Sequence, residues 1–97
     1  MHALLGCAKL FKGDPMRVVL VRRKGCSLCE ETHRRLETLG VLAADRPFLY
    51  EEWWADEDPF LQQTYGERLP VLLIDGKEVA SGRIEMAQLR ALLPTSF

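Results

Sequence analysis

Pro70–Ile74 and Lys77–Ser81 are two short strand-like runs separated by Asp75-Gly76 alone, and this spacing constrains the fold more than any other feature of the chain. Asp-Gly between such runs is a strong hairpin signal, so the two strands must lie antiparallel. Upstream, Val18-Val19-Leu20-Val21 is a β-branched run bounded by charge and by Gly25, and it reads as a buried strand. Ser27 to Leu39 reads as a helix. Leu28, Thr32, Leu36 and Leu39 recur on one inward face, and Gly40 is placed to stop it.

A second strand is expected over Phe48 to Trp53. Asp58-Pro59 then opens a short helix, with Asp58 as N-cap and Pro59 in its first position, and Gly66 closes it. Met86, Leu89, Leu92 and Leu93 space a last helix over Glu85 to Leu93, stopped by Pro94. The order is β-α-β-α-β-β-α. A right-handed parallel βαβ unit followed by an antiparallel hairpin gives an α/β fold with one mixed four-stranded sheet, flanked by helices on both faces. The first 15 residues show no clear period and end in the turn signal Gly13-Asp14-Pro15. They form an N-terminal extension of unassigned role ahead of one domain over 16–97.

Ninety-seven residues hold one core, and 47% hydrophobic with 28% charged residues describes a globular chain. With a net charge of −1 and both signs scattered, the basic footprint of a nucleic-acid binder is missing. No apolar run reaches the roughly 18–20 residues that span a bilayer. Leu4-Leu5-Gly6-Cys7 has the look of a lipoprotein cleavage box. It lacks the basic start and the apolar stretch of about 7–15 residues that export requires, so a cytoplasmic protein is expected.

Three cysteines cannot close a disulfide framework, and two of them form Cys26-Ser27-Leu28-Cys29 at the junction of strand and helix. A cysteine at a helix N-terminus meets unpaired backbone N–H groups and the positive end of the dipole, which favour a thiolate. Arg23 and Lys24 lie just ahead and add to that field. Cys26 is then the expected nucleophile toward a disulfide, and Cys29, one turn on, the thiol that resolves the mixed disulfide. Two other readings stay open. The pair is half of a zinc site completed by His33 and Cys7 or His2, or it is two small buried residues without chemistry. No second ligand pair at knuckle spacing is present, so no metal site is assigned. His33 reads as a flank histidine and Cys7 as an inert or accidentally reactive thiol.

Arg23-Lys24-Gly25-Cys26-Ser27-Leu28-Cys29, Asp58-Pro59, Tyr65-Gly66-Glu67-Arg68-Leu69-Pro70-Val71 and Asp75-Gly76 follow one another with a specific order and spacing. In these features the chain from about Met16 to Leu93 resembles the thioredoxin superfamily, and within it the short glutaredoxin-like proteins of bacterial type. The resemblance implies Cys26 as attacking and Cys29 as resolving thiol, with Pro70 as the family's cis-proline facing the pair. Leu69 would offer its backbone to an extended substrate. Departures are clear. Ser27-Leu28 stands where glutaredoxins commonly carry Pro-Tyr, and Arg68-Leu69-Pro70 replaces Thr-Val-Pro. The glutathione-holding Gly-Gly segment is reduced to Ser81-Gly82-Arg83-Ile84-Glu85. Arg23 remains suited to a glutathione carboxylate, so glutathione is a candidate co-substrate and no bound cofactor is expected. Thioredoxins fit less well, since Gly25 and Leu20 stand where they carry a tryptophan and a buried acid.

Two classes of function follow. The first is a thiol–disulfide oxidoreductase of the glutaredoxin type, acting as a monomer on a disulfide-containing protein or a glutathione mixed disulfide. Substrate contacts are expected at Arg23, Lys24, Leu69, Pro70 and Gly82, and electrons from glutathione or a thiol reductase. The second is a non-catalytic thioredoxin-fold binding or adaptor module, its Cys26 and Cys29 holding metal or idle; an iron–sulfur variant, with Cys26 on a cluster across a dimer, is a more distant third reading. Trp53-Trp54 leave their strand on opposite sides, so that one fills core and the other stays partly exposed, as edge packing or as a docking surface.

Overall fold

A computed structural model describes residues 15–42 and 48–93. The N-terminal extension up to Asp14, with Cys7, His2 and the cleavage-box resemblance, lies outside the described residues, as does Pro94. The chain forms β1 (Met16–Arg22), α1 (Ser27–Thr38), β2 (Phe48–Trp54), a 3-10 turn (Ala55–Glu57), α2 (Pro59–Tyr65), β3 (Val71–Ile74), β4 (Lys77–Ser81) and α3 (Met86–Leu92). These make one mixed sheet in the order β2-β1-β3-β4, the thioredoxin-like α/β arrangement.

β1 runs longer than its β-branched stretch because β2 pairs along its whole length. It lies parallel to β2 from Met16↔Phe48 to Arg22↔Trp54 and antiparallel to β3 from Val18↔Ile74 to Val21↔Val71. Arg17 and Arg22 lie beyond the β3 pairing and are held in the ladder by β2, opposite Leu49 and Trp54. Asp75 and Gly76 take φ of 51° and 87°, the two left-handed positions that a type I′ hairpin demands. Asp75 Oδ1 also accepts a hydrogen bond of 3.0 Å from Arg17 N, tying the turn to the start of β1. Between Leu72↔Ala80 and Leu73↔Glu78 the register shifts by one residue, leaving Val79 as a bulge.

The sheet separates two apolar clusters. Val18, Leu20 and Leu72 pack with Leu36 of α1 and with Ile84, Leu89 and Leu93 around α3 on one face. Val19, Val21, Val71 and Leu73 pack with Ala55, Trp53 and the α2 residues Leu61 and Tyr65 on the other. Helices therefore cover both faces. Odd- and even-numbered positions of β1 divide between the clusters, as period-2 alternation requires.

One helix face differs from expectation. α1 buries Cys29, Thr32 and Leu36, while Leu28 and Leu39 are only half-buried. The i, i+3, i+7 stripe beginning at Cys29 turns the second cysteine of the motif into the core. Thr32 satisfies its hydroxyl there by donating to Leu28 O at 3.0 Å. α1 ends as the glycine implied: Gly40 has φ 83°, its N–H donates to Glu37 O, and Val41 N–H donates to Leu36 O, a Schellman motif. In α2, Asp58 Oδ1 accepts from Phe60 N at 2.9 Å and Leu61 N at 3.4 Å, and Pro59 occupies the first turn. Gly66 ends α2 in a right-handed conformation, where a Cβ would collide with Gln62. Among the described residues no helix is long and apolar enough to cross a membrane.

Candidate functional site

β1 delivers the chain to the sheet end at Arg22, and the turn that follows aims it back as α1. Gly25, at φ 76°, makes that turn in the left-handed region where a Cβ would be strained. Cys26 then stands at the N-cap in an extended conformation, where Ser, Thr, Asp or Asn is the usual choice. Its Sγ performs the same service, accepting a hydrogen bond of 3.1 Å from Cys29 N. Cys26 and Cys29 have Cα atoms 5.2 Å apart and their sulfurs are bonded. Cys29 is completely buried, whereas Cys26 keeps partial access to solvent. An incoming group can reach the first sulfur and not the second.

The remaining predicted site residues gather at the same sheet end. β3 runs antiparallel to β1, and with Val71 opposite Val21 its start lies beside the end of β1. Pro70, buried, and half-buried Leu69 immediately precede Val71, and the peptide bond joining them is cis. Ser81 is the partner of Val71, and the next residue, Gly82, donates its N–H to Pro70 O at 2.9 Å and to Arg68 O at 3.2 Å. The segment after Gly82 is tied to α1: Arg35 Nη1 donates to Ile84 O at 2.9 Å, and Arg83 pairs with Glu31 at 3.7 Å. Arg23 and Lys24 are exposed ahead of Cys26. Lys24 Nζ reaches Glu57 Oε2 at 4.0 Å, and Arg23 makes no ion pair among the described residues.

Arg68 is turned to another task. It forms a two-pronged pair with Glu78 of β4 at 2.8 and 2.9 Å and donates to Thr64 O. Glu78's hydrogen bonds from this guanidinium hold its carboxyl below the usual range, and the same bonds raise Arg68.

An ionic cluster around a buried arginine next to the motif is not apparent from motif reading. Arg22, 4% exposed, donates from Nη2 to Glu30 Oε2 at 2.7 Å and from Nη1 to Glu52 Oε2 at 3.1 Å. Its guanidinium carbon lies 4.5 Å from the ring centroid of Trp54, its register partner on β2, while its Nε has no acceptor among the described residues. Glu52 Oε2 also accepts from Tyr50 Oη at 2.9 Å and lies 3.3 Å from His33 Nε2. Burial, and secondarily the bond to Glu52, push the Tyr50 phenol far above its ordinary value. His33 is thus a partner of Glu52. Among the described residues it joins no three-ligand cluster with the cysteines. Counting by twos along β1 was the available signal: Val18 and Leu20 face the α1 side, and so must Arg22.

Fold and site together define a thioredoxin-like α/β protein with a CxxC disulfide at the start of its first helix. The chain belongs to the glutaredoxin-like domain family (DUF836), whose model matches residues 17–94. An uncharacterised protein of Mycobacterium tuberculosis is 32% identical over 77 residues, 77% of this chain and 79% of its own. A crystal structure of protein XcR50 from X. campestris superposes with a TM-score of 0.64 at 28% identity, covering 81% of this chain and 97% of that one. A thioredoxin variant from Halobacterium salinarum superposes with a TM-score of 0.56 at 25% identity, over 81% of this chain and 72% of its own.

Proposed function

We propose that the protein is a cytoplasmic thiol–disulfide oxidoreductase that reduces or exchanges disulfides through Cys26 and Cys29. The observation that carries this reading is the unequal setting of the two sulfurs. Cys26 is reachable, sits at a helix N-cap and accepts the Cys29 N–H, while Cys29 is fully buried one turn behind it. In the reduced protein those N–H groups and the helix dipole stabilise a thiolate at Cys26. The thiolate attacks one sulfur of a substrate disulfide, forming a Cys26–substrate disulfide and expelling the other sulfur as a thiolate that takes a proton. Cys29, deprotonated, then attacks Cys26 Sγ. The second substrate thiol leaves, and the Cys26–Cys29 disulfide remains. Two electrons from glutathione or a thiol reductase restore the dithiol.

The family resemblance extends this to the substrate. Pro70 and the Leu69 backbone would pair with an extended stretch of a disulfide-bearing protein, and Gly82 keeps the neighbouring surface open to it. Exposed Arg23 and Lys24 would take a carboxylate, which fits glutathione as co-substrate. The test is direct. The thiolate absorbance of Cys26 should titrate clearly below the free-cysteine value of about 8.5, and Cys29→Ser should accumulate a mixed disulfide that Cys26→Ser cannot form. Titration at or above that value, with no trapped species, removes the reading.

A further inference from the structure

The 51–58 stretch, Glu-Glu-Trp-Trp-Ala-Asp-Glu-Asp, holds five acids and no base. It folds into a groove of about 530 Å³ lined by Trp53, Trp54, Phe60 and Leu61 together with the carboxylates of Glu52, Glu57 and Asp58. Among the described residues no Lys, Arg or His lines it. Phe60 is 69% exposed although it is a large apolar residue, which its helix position alone does not require. The charges are unevenly occupied. Glu52 is engaged by Arg22 and Tyr50, and one oxygen of Asp58 caps α2. Glu57 has only the 4.0 Å approach of Lys24, and both side chains are mostly solvent-exposed.

The groove adjoins the redox motif. β1 and β2 are parallel, so the chain leaves both at the same sheet end, into Cys26 from one and into the groove from the other. Lys24, two residues before Cys26, touches Glu57 on the groove side.

We infer that this groove docks the protein substrate, and that the substrate is a polypeptide carrying Lys or Arg beside an aromatic or aliphatic side chain a few residues from its reactive cysteine. The inference rests on the oxidoreductase reading and names the class of partner for it. Charge chooses the occupant: a solvent-exposed aromatic face ringed by carboxylates repels acidic segments and offers a basic one charge partners. Planar anchors such as Trp and Phe contribute contact area at little conformational cost.

The test uses the full chain, whose only two tryptophans both line the groove, so their fluorescence reports on it directly. Two decapeptides are compared, one with Lys-Phe-Lys and one with Glu-Phe-Glu four residues from a serine. Each is also made with cysteine at that serine, capped as a mixed disulfide with 2-mercaptoethanol. The Lys peptide should shift the emission saturably and bind about tenfold more tightly or better than the Glu peptide. Added salt should shrink that margin. Phe60→Ala and Glu57→Lys should each cut it to within about twofold, and the reduction rates of the capped peptides should follow the same preference. Equal binding of the two peptides, a margin that survives Glu57→Lys, or self-association through Phe60 would overturn the docking proposal. The two readings fail separately. Lys-peptide binding with neither capped peptide reduced removes the oxidoreductase and leaves the groove. Both capped peptides reduced at one rate, with unchanged fluorescence, removes the groove and leaves the oxidoreductase.

Discussion

The two ends of the sheet are built by different means. At the hairpin end, Asp75-Gly76 turns the chain with two residues whose conformations suit them to it, and the Asp75 carboxylate secures the neighbouring strand. The turn itself is local and exposed, and only the Asp75 bond to Arg17 N reaches across the chain. At the opposite end the chain carries a cis Leu69-Pro70 bond, left-handed glycines at 25 and 82, a cysteine as N-cap, and an arginine buried between two carboxylates and a tryptophan. None of these is what an isolated strand or helix would choose. At this end left-handed glycines, a sulfur cap and a buried cation hold the groups of the candidate site where an isolated strand or helix would not put them.

Perturbing the end that carries the cysteine motif should be costly and perturbing the hairpin end cheap. The largest expected effect is at Arg22. Arg22→Ala strands Glu52 and Glu30 without their shared cation and should lower unfolding free energy by about 2–3 kcal/mol. That lies below the roughly 3–5 kcal/mol of a wholly buried pair, because Glu30 is about half exposed. Chemical denaturation measures it, and a loss under about 1 kcal/mol would break the comparison.

Tyr50 sharpens it through pH. Its folded pKa is raised above the unfolded value of 10.0, chiefly by burial, so its contribution is complete below that value and declines as pH climbs beyond it. Stability should therefore fall by about 1.4 kcal/mol per pH unit above 10 from this residue. Denaturation at pH 9 and 11 should show a shallower alkaline slope in Tyr50→Phe than in the parent.

At the hairpin end, Gly76→Ala forces a Cβ into φ 87° in open space, and about 1 kcal/mol of stability should be lost. Disulfide exchange should persist, and a loss of activity with the fold retained would show that the two ends are coupled. The smallest effect belongs to the exposed Arg68–Glu78 pair. The Glu78 pKa is lowered from 4.5 by Arg68, so its contribution holds above that value and disappears as pH falls through the depressed one. Glu78→Gln should flatten the acid limb slightly, an effect that added salt should erase.

Much of this was legible beforehand, for identifiable reasons. Element order, the hairpin, the Asp58 cap and the Gly40 stop are each written in residues that act on their own neighbours. The strand ends at Met16, Arg22 and Trp54 were not, because they depend on which strands pair alongside. On α1 the hydropathy spacing locates Thr32, Leu36 and Leu39 against the core but takes Leu28 for the first inward position, where packing buries Cys29 instead. Motif spacing puts Cys26 and Cys29 at a helix start and the family resemblance points to Leu69, Pro70 and Gly82; the structure brings all five to one sheet end. The Arg22–Glu30–Glu52–His33 cluster joins positions up to 30 residues apart, and no local pattern announces such a meeting.

By itself the sequence determined the elements, their order, the antiparallel hairpin and the cysteine at a helix start, because short-range sterics and hydrogen bonding decide those within a few residues. Tertiary structure alone decided which sulfur is sealed from solvent, which arginine is buried, and that Trp53, Trp54 and Phe60 share one acidic groove. These depend on register across the sheet, where a shift of one residue would send each side chain to the opposite face.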